Sequence, residues 1–541
     1  MFRKILLLAL MLCASEAWAA CSGSSPSLTA ASSSFTDVSA CVTAAVTGDT
    51  IHVPAGTSTW SSQLSISSKS ITLVGAGSES SDQTIITDGV SGSAMMSIVI
   101  SSGKFVDVSG FKFVYAAGGS KSGGVIAIDT LSDNATLAQV AYRFHNNHIL
   151  ISSSTSMHFL VPTTVYGLVD HNIFDITETA GSIGVFDPFG SADGNDGGFT
   201  PWSRAFALGT ENANYFEDNT VNGTTTGAGI EDAIDAYGGA RLVIRHNTFL
   251  NTTVGFHGLD SGGRRGIVSF EIYSNTFTNN SGTHLEAMRT RSGAGVWYNN
   301  TYNGSGASWN GANLLLYRVV QPTQVGGWQL CDGSHWELGS TNFSANESRI
   351  AGLTGSPQRV KFLSDRETES TSAGVGWLDT DSANGYPCRD QPGVGPGQTV
   401  FGVYGMNNGG LVLNWGDGGS GIDASAYLQS GRDFFNGSQM PGYTAYTYPH
   451  PLQGDTSTQS PAVLLLMRMI LCILLMVGSM MLPTLISEKQ NESIIQYHES
   501  DFHLAARLDG NPAHVFSSIR LPTHRADRIM GQGVDHHETS E

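Results

Sequence analysis

The sequence predicts an all-β solenoid, a fold in which short strands stack coil upon coil. In the middle of the chain, an Asn followed two residues later by a large apolar side chain recurs at a nearly constant interval. Apolar and polar side chains alternate before each Asn, and this is the period of a strand and not of a helix. Glycine makes up 65 of the 541 residues, about 12% against a usual share of about 7%. Such a composition favours many tight turns between short strands.

The recurring residues are Asn147, Asn172, Asn219, Asn247, Asn275 and Asn300. Successive intervals are 25, 47, 28, 28 and 25 residues, so the long one is two coils or one coil with an insertion. In a solenoid, each strand hydrogen-bonds to its copy in the next coil and apolar side chains fill the bore. We therefore expect an Asn ladder and a buried Ile244. The alternative, a β-sandwich with scattered Asn turns, does not keep one interval for so long.

The first 19 residues have the three parts of a secretory signal. Arg3 and Lys4 precede an apolar stretch from Ile5 to Leu12, and Ala17-Trp18-Ala19 is a small-x-small cleavage pattern. We expect cleavage after Ala19 and a secreted or cell-surface protein. A lipoprotein signal, with Cys21 as the modified residue, is the alternative.

Four cysteines remain once the signal and the C-terminal apolar run are set aside, namely Cys21, Cys41, Cys331 and Cys388. An even number in an exported chain allows two disulfides. Pairing by proximity gives Cys21 with Cys41 and Cys331 with Cys388, and free thiols are the alternative.

The C-terminal part is unlike the rest of the chain. Residues 456–486 contain a linker and an almost wholly apolar run from Ala462 to Ile486, and roughly 18 to 20 apolar residues can span a bilayer. A C-terminal membrane anchor is one interpretation, in which Arg468 must snorkel. Residues 487–541 form a polar tail with six of the 16 histidines and no periodic pattern, so an appended segment is the other interpretation.

The net charge of the chain limits the classes of ligand that it can bind. With 27 basic and 46 acidic side chains, the net charge is −19, and a nucleic-acid partner is excluded because phosphate binding needs a basic face. Six arginines nevertheless gather between residues 241 and 291: Arg241, Arg245, Arg264, Arg265, Arg289 and Arg291. Such a cluster favours an anionic ligand, and structural Arg–carboxylate pairs are the alternative.

If the Asn ladder sets the register, the residues two positions before each Asn stack on one outer face, about 4.8 Å apart. They are His145, Asp170, Glu217, Arg245, Tyr273 and Tyr298. A flat face of charges and aromatic rings fits an extracellular polysaccharide. The alternative is an ordinary solvated face on which Glu217 pairs with Arg245.

Several stretches resemble the pectate-lyase-like right-handed parallel β-helix proteins, many of them secreted by bacteria. The resemblance covers roughly residues 35–455 and rests on GDTIHVPAGTSTWSSQLSISSKSITLVGAG, ENANYFEDN, GARLVIRHNTF, GFHGLDSGGRRG, EIYSNTF, GYPCRDQPG and GRDFFNGSQMPGYTAYTYPHPL. It implies a right-handed parallel β-helix over residues 20–310 and a loop-rich closing segment over residues 311–455 that covers the last coil. This fold hosts lyases, hydrolases, esterases and adhesins, so it leaves the activity open.

One chemistry for such a face is β-elimination on a uronate polymer. An Arg or a Ca²⁺ ion neutralises the carboxylate while a base removes the proton next to it. The candidate bases are His257 and Arg289, and the candidate carboxylate ligands are Arg264 and Arg265. No lysine lies between residues 121 and 361, which excludes a lysine base on these coils.

The loop DPFGSADGNDGG offers oxygen ligands with glycine flexibility at Asp187, Asp193, Asn195 and Asp196. Ca²⁺ is the cation that such ligands suit. The spacing departs from that of an EF-hand, so we expect no required cofactor and keep Ca²⁺ as the one candidate.

The second chemistry is glycoside hydrolysis, which needs two carboxylates across the scissile bond. The order of acids, His-Gly and arginines is similar to that of polygalacturonases at Glu211, Glu231, Asp232, His257, Arg289 and Arg291. Glu replaces Asp at two places, and Asp235 adds a further carboxylate. Asp235 and His257 fall on successive coils, so we expect that Asp235 can orient the imidazole.

Together these features predict a secreted lyase that acts on an acidic polysaccharide at the outward face of residues 211–291. A polygalacturonase-like hydrolase and a non-catalytic, polysaccharide-binding adhesin are the alternatives, and the oligomeric state is left open. The predicted catalytic residues are Asp232, Asp235, His257 and Arg289. The predicted substrate-binding residues are Glu211, Glu217, Arg245, Arg264, Arg265, Glu271, Tyr273 and Arg291.

Overall fold

In the computed structural model, three long sheets of stacked short strands form the fold of this chain. The structure describes residues 20–77, 83–115, 121, 123–130, 139–152, 157–177, 183–190, 202, 205–223, 230–258, 266–304, 309–316, 390–396, 399–416 and 424–454. Each full coil gives one strand to each sheet, and the described strand pairs are parallel except for one antiparallel pair, Cys21–Ser24 with Ser27–Ala30. The predicted class, an all-β parallel β-helix, is confirmed.

The first sheet consists, in spatial order, of Cys21–Ser24, Ser27–Ala30, Asp49–Val53, Ile71–Gly75, Val106–Ser109, Val140–His145, Tyr166–Asp170, Asn214–Glu217, Arg241–Arg245, Ser269–Tyr273, Ala294–Tyr298, Val403–Met406 and Phe434–Asn436. The second sheet consists of Gly56–Trp60, Thr84–Asp88, Lys112–Tyr115, His148–Ile151, Ile173–Ile176, Thr220–Gly223, Thr248–Leu250, Thr276–Asn279 and Thr301–Gly304. The third sheet consists of Leu64–Ser67, Met96–Ile100, Ile126–Thr130, Met157–Pro162, Ile183–Phe186, Ile230–Ile234, Thr252–Phe256, Leu285–Thr290, Trp309–Leu315 and Leu413–Gly416.

Helical structure among the described residues is brief. Helix α1 spans Phe35–Ala44, helix α2 spans Pro451–Gly454, and a single 3₁₀ turn spans Ala424–Ala426. None of these is long and apolar enough to cross a membrane. The predicted signal peptide, the apolar run and the polar tail lie outside the described residues.

Alternating side chains build the core in the way the sequence predicts. Ile244 belongs to the buried core and has no exposed surface, which confirms its inward position. Phe249 and Phe277 stack in the bore on neighbouring coils, with ring centroids 4.6 Å apart. Each coil therefore buries its apolar face against the next coil, as a solenoid requires.

The predicted Asn ladder is confirmed at all six positions. The Nδ2 atom of each Asn donates to the Oδ1 atom of the next, over 2.9 to 3.2 Å. The residue before each ladder Asn has a positive φ, for example 58° at His246, and Asn, Asp and His adopt this left-handed region more readily than most residues. The ladder continues to Asn408, which accepts from Asn300 over 2.9 Å. Asn408 was not predicted, because 108 residues separate it from Asn300.

A disulfide between Cys21 and Cys41 joins the first strand to helix α1 and confirms the first predicted pair. Ser34 caps the helix by accepting from the backbone N–H of Asp37 over 3.2 Å. The helix buries Val38 and Cys41 among others, so it covers the N-terminal coil. The second predicted pair, Cys331 with Cys388, lies outside the described residues.

The β-helix extends beyond the predicted boundary at residue 310. Four later strands, Trp309–Leu315, Val403–Met406, Leu413–Gly416 and Phe434–Asn436, continue the first and third sheets in register. Residues 440–454, which we call the C-terminal strap, run back over the outer face of the first sheet. Their position differs from the predicted one over the last coil, because their partners are charged side chains on that face.

Candidate functional site

The predicted column on the first sheet has the expected register. His145, Asp170, Glu217, Arg245, Tyr273 and Tyr298 stand opposite one another on successive strands. The C-terminal strap covers the middle of this column, and the side chains of Glu217 and Arg245 have 0% exposed surface. The predicted Glu217–Arg245 pair is therefore present, with Nε and Oε2 2.5 Å apart, but it does not lie on a solvated face.

Arg245 joins the strap to the sheet. Its guanidinium donates to the Tyr273 hydroxyl over 2.9 Å and to the backbone carbonyls of Tyr446 and Thr447 over 2.8 Å each. Glu217 accepts from the backbone N–H of His450 over 2.7 Å. Each charge is thus matched inside the protein, as a buried ion pair requires.

Glu271 has the same kind of environment as Glu217. It accepts from the backbone N–H of Gly209 over 2.7 Å and from the Tyr443 hydroxyl over 2.5 Å. Burial raises the pKa of both Glu217 and Glu271. While the strap is in place, a polymer has no access to four of the predicted substrate-binding residues, Glu217, Arg245, Glu271 and Tyr273.

The outer face of the third sheet carries the second group of predicted residues. His257 Nδ1 lies 2.6 Å from Asp235 Oδ2, which confirms the expected Asp–His pair. Its Nε2 atom lies 3.0 Å from the Tyr237 hydroxyl, and the two rings stack with centroids 4.0 Å apart. Tyr237 stacks in turn on Phe189 at 5.1 Å. An acid, an imidazole and a phenol therefore form one chain of polar contacts.

Tyr237 was not among the predicted site residues. The only signal was an aromatic side chain two residues after Asp235, a pattern common in any strand protein.

Arg289 pairs with Asp232 on the same face. A Cβ atom at Gly255 would overlap Asp232 Oδ1, so the missing side chain of Gly255 leaves the space that the carboxylate fills. Asp232 has a φ of 57°, which is uncommon for a non-glycine residue. Glu286 Oε2 lies 3.7 Å from Arg289 Nε. The guanidinium is thus held between two carboxylates.

The strand register brings the Asp235–His257 pair close to the Arg289–Asp232 pair. Ile234 stands opposite Val254, and Gly255 stands opposite Arg289. Asp235 and Arg289 therefore occupy one column two strands apart, about 10 Å at the usual strand spacing. All four predicted catalytic residues, including Asp232 and His257, lie on three successive strands or the turns that follow them.

The remaining predicted residues are more scattered. Glu211 is exposed in the turn before Asn214–Glu217, and Arg291 is half-buried directly after Leu285–Thr290. Arg264, Arg265, Asp193, Asn195, Asp196 and the side chain of Glu231 fall outside the described residues. Asp187, the first residue of the proposed metal loop, is buried against His158, with Oδ2 2.6 Å from Nδ1. Within the described ranges, no three His, Cys, Asp or Glu side chains form a group that could hold a metal ion.

Fold and site define this chain as an all-β parallel β-helix with an Asp–His–Tyr chain and an Arg–carboxylate cluster on one outer face. No family model, no curated protein and no solved structure matches the chain.

Proposed function

We propose that this protein is a secreted polysaccharide lyase, which cuts a uronate-containing polymer at the outer face of the third sheet. The observation that supports this most is the chain of contacts from Asp235 through His257 to Tyr237. Arg289 lies two strands away on the same face. The resemblance to pectate-lyase-like proteins agrees with this proposal, since elimination is one of the chemistries on that fold.

His257 is the base in this scheme. Asp235 accepts the proton on Nδ1, so the lone pair of the neutral imidazole is on Nε2. Nε2 takes the hydrogen from the carbon next to the uronate carboxylate. The electron pair of that C–H bond forms the new C=C bond, and the bond from the neighbouring carbon to the glycosidic oxygen breaks.

Tyr237 is the acid. Its hydroxyl lies 3.0 Å from His257 Nε2, so base and acid act from one side of the sugar ring. The phenol gives its proton to the departing glycosidic oxygen. The imidazolium then returns the abstracted proton to the phenolate across the same contact, which restores both groups.

Arg289 stabilises the negative charge that develops on the uronate carboxylate during proton removal. Asp232 and Glu286 fix the orientation of its guanidinium. A positive group held in place before the reaction costs no reorganisation when charge develops. In this scheme Arg289 is the electrophilic group and not the base.

The test uses the full chain, incubated with pectic, alginate-like, glycosaminoglycan and neutral polysaccharides. Both ultraviolet absorbance of unsaturated uronate ends and release of reducing ends are followed. We expect the two signals to rise together on an acidic polymer. We also expect His257→Ala and Tyr237→Phe to lower the rate by roughly a hundredfold or more.

His148→Ala is the matched control, because His148 also pairs with an aspartate, Asp175, over 2.8 Å but lies on the second sheet. Reducing ends without absorbance would replace the lyase by a hydrolase that uses Asp232 and Asp235. Retention of a polymer without either signal would replace it by an adhesin.

A further inference from the structure

A cavity lies on the outer face of the first sheet, on a different sheet from the proposed catalytic centre. Its floor is formed by side chains of two neighbouring strands, namely Val296, Tyr298, Tyr404 and Met406. Residues between 438 and 445, which include the start of the C-terminal strap, form the rest of its wall. Its volume is about 200 Å³. Pockets for drug-sized ligands have about 300 to 1,000 Å³, so this cavity has room for one ring-sized group.

An aromatic face borders the cavity at Tyr404. Phe435, on the next strand, stacks on one face of the Tyr404 ring, with centroids 4.5 Å apart and planes 9° from parallel. Val296 stands opposite Tyr404 on the preceding strand, and its short side chain leaves space beside the second face of the ring. The π-system gives that face a partial negative charge. A pyranose ring, which presents a face of weakly positive C–H groups, is complementary to such a surface.

The rim of the cavity is polar and uncharged. The exposed side chains of Ser438, Gln439 and Thr444 offer hydroxyl and amide groups that both donate and accept hydrogen bonds. Sugar hydroxyls also do both. The cavity thus combines an aromatic floor with a few polar groups, the usual composition of a site for a small ligand.

The lining also selects against charge, since none of its described residues is ionised at neutral pH. The neighbouring acid, Glu271, stands opposite Val296 but is only 2% exposed. It accepts hydrogen bonds from Gly209 and Tyr443 inside the protein. A uronate carboxylate would enter the cavity without a cationic partner, and such burial is costly.

We propose that this cavity binds one neutral pyranose unit, such as an uncharged terminal or side-chain sugar of a polysaccharide. The inference goes beyond the proposed function and is independent of it, because it concerns another sheet and an uncharged ligand.

The position of the cavity links sugar binding to the strap. Met440, Tyr443 and Thr444 belong to the strap, whereas Val296 and Tyr404 belong to the first sheet. Opening of the strap therefore takes the cavity apart. A ligand that needs both walls stabilises the closed strap by mass action, and at ten times its dissociation constant it reduces the open population about tenfold.

The test uses the full chain and the methyl glycosides of glucose, galactose, mannose, xylose and rhamnose, with galacturonate and glucuronate as charged probes. Binding is measured by saturation-transfer NMR, and hydrogen exchange in residues 440–454 is followed with and without each sugar. We expect at least one neutral glycoside to bind and, at ten times its dissociation constant, to slow strap exchange about tenfold. The uronates should have no effect at that concentration. The site is refuted if no neutral glycoside binds, if the uronates bind equally well, or if binding leaves strap exchange unchanged.

Variants of the lining test the position of the sugar. Tyr404→Leu keeps an apolar side chain but removes the ring, and it should weaken binding about tenfold, whereas Tyr404→Phe should bind as wild type does. Gln439→Ala changes only the exposed rim and should weaken binding about threefold, so it maintains the test if Tyr404→Leu does not fold. The control is Trp415→Ala, because Trp415 is a 43% exposed aromatic residue on the third sheet. Wild-type binding by folded Tyr404→Leu, or by Gln439→Ala, would overturn the assignment of the sugar to this cavity.

Discussion

Replacing Arg245 by Met removes a guanidinium that is wholly buried between the first sheet and the C-terminal strap. The substitution leaves Glu217 without its cation and the carbonyls of Tyr446 and Thr447 without their donor. It also removes a cation that lies 4.9 Å from the centroid of the Tyr215 ring. The strap is thereby weakened, while the apolar bore of the coils is unchanged.

Breaking a buried ion pair by removing one partner costs about 3 to 5 kcal/mol. The lower end applies here, because the His450 backbone N–H and the Gln453 side chain still donate to Glu217. Burial also raises the pKa of Glu217, so the orphaned carboxyl can take up a proton. A loss of about 3 kcal/mol increases the population of strap-open molecules by a factor of roughly a hundred.

Hydrogen exchange followed by mass spectrometry measures this opening directly. We expect Arg245→Met to speed the exchange of amides in residues 440–454 by about a hundredfold, with little change in the strands of the bore. The control is Arg432→Met, because Arg432 has 36% of its side chain exposed. Adding Glu217→Gln to Arg245→Met should restore part of the protection, since it removes the unpaired carboxylate. Unchanged exchange in the strap of Arg245→Met would refute the assignment of this pair as the strap's main anchor.

Three further predictions concern the bore, the strap and the site. Ile244→Asp should unfold the chain, since an unpaired carboxylate in the bore costs several kcal/mol, and a circular-dichroism melting curve like that of wild type would contradict the register. Burial lowers the pKa of His450 from 6.5 to about 4. The imidazole therefore takes up a proton more readily when the strap is open. Through His450 alone, acidification from pH 6.5 to 4 should weaken the strap by about 3 kcal/mol. The raised pKa values of the buried Glu217 and Glu271 act in the opposite sense. The test therefore compares wild type with His450→Gln. Hydrogen-exchange rates in the strap, corrected for the pH dependence of intrinsic exchange, should rise on acidification in wild type and not in the variant. Gly255→Ala should displace the Asp232 carboxylate and lower lyase activity at least tenfold without a change in melting temperature, whereas Gly123→Ala, with open space around its Cβ position, should behave as wild type.

Features that depend on short, regular spacing could be predicted from the sequence. The ladder through Asn247 and Asn275 follows from a 28-residue interval, and the disulfide of Cys21 with Cys41 closes a separation of only 20 residues. The contact of Asp235 with His257 follows in the same way, because strands of neighbouring coils pair in register. A solenoid converts sequence distance into spatial distance along one axis, and this is why such predictions succeed.

Contacts that skip many coils, or depend on the room around a side chain, could not be predicted. The backbone carbonyl of Tyr446 accepts a hydrogen bond from Arg245, 201 residues away in the sequence. No local sequence pattern predicts this contact. His158 meets Asp187 only because Gly184 leaves space between them.

By itself, the sequence determined the repeating strand, the inward and outward alternation and the Asn ladder, because each of these depends on neighbours within one or two coils. The tertiary structure alone decided which outward face is accessible. Two columns of charged residues look alike in the sequence, yet the C-terminal strap buries the one around Arg245 and leaves the one around His257 partly exposed. The physical reason is that burial is a property of the packed whole: a distant segment pairs with the charges of one face and so removes them from water.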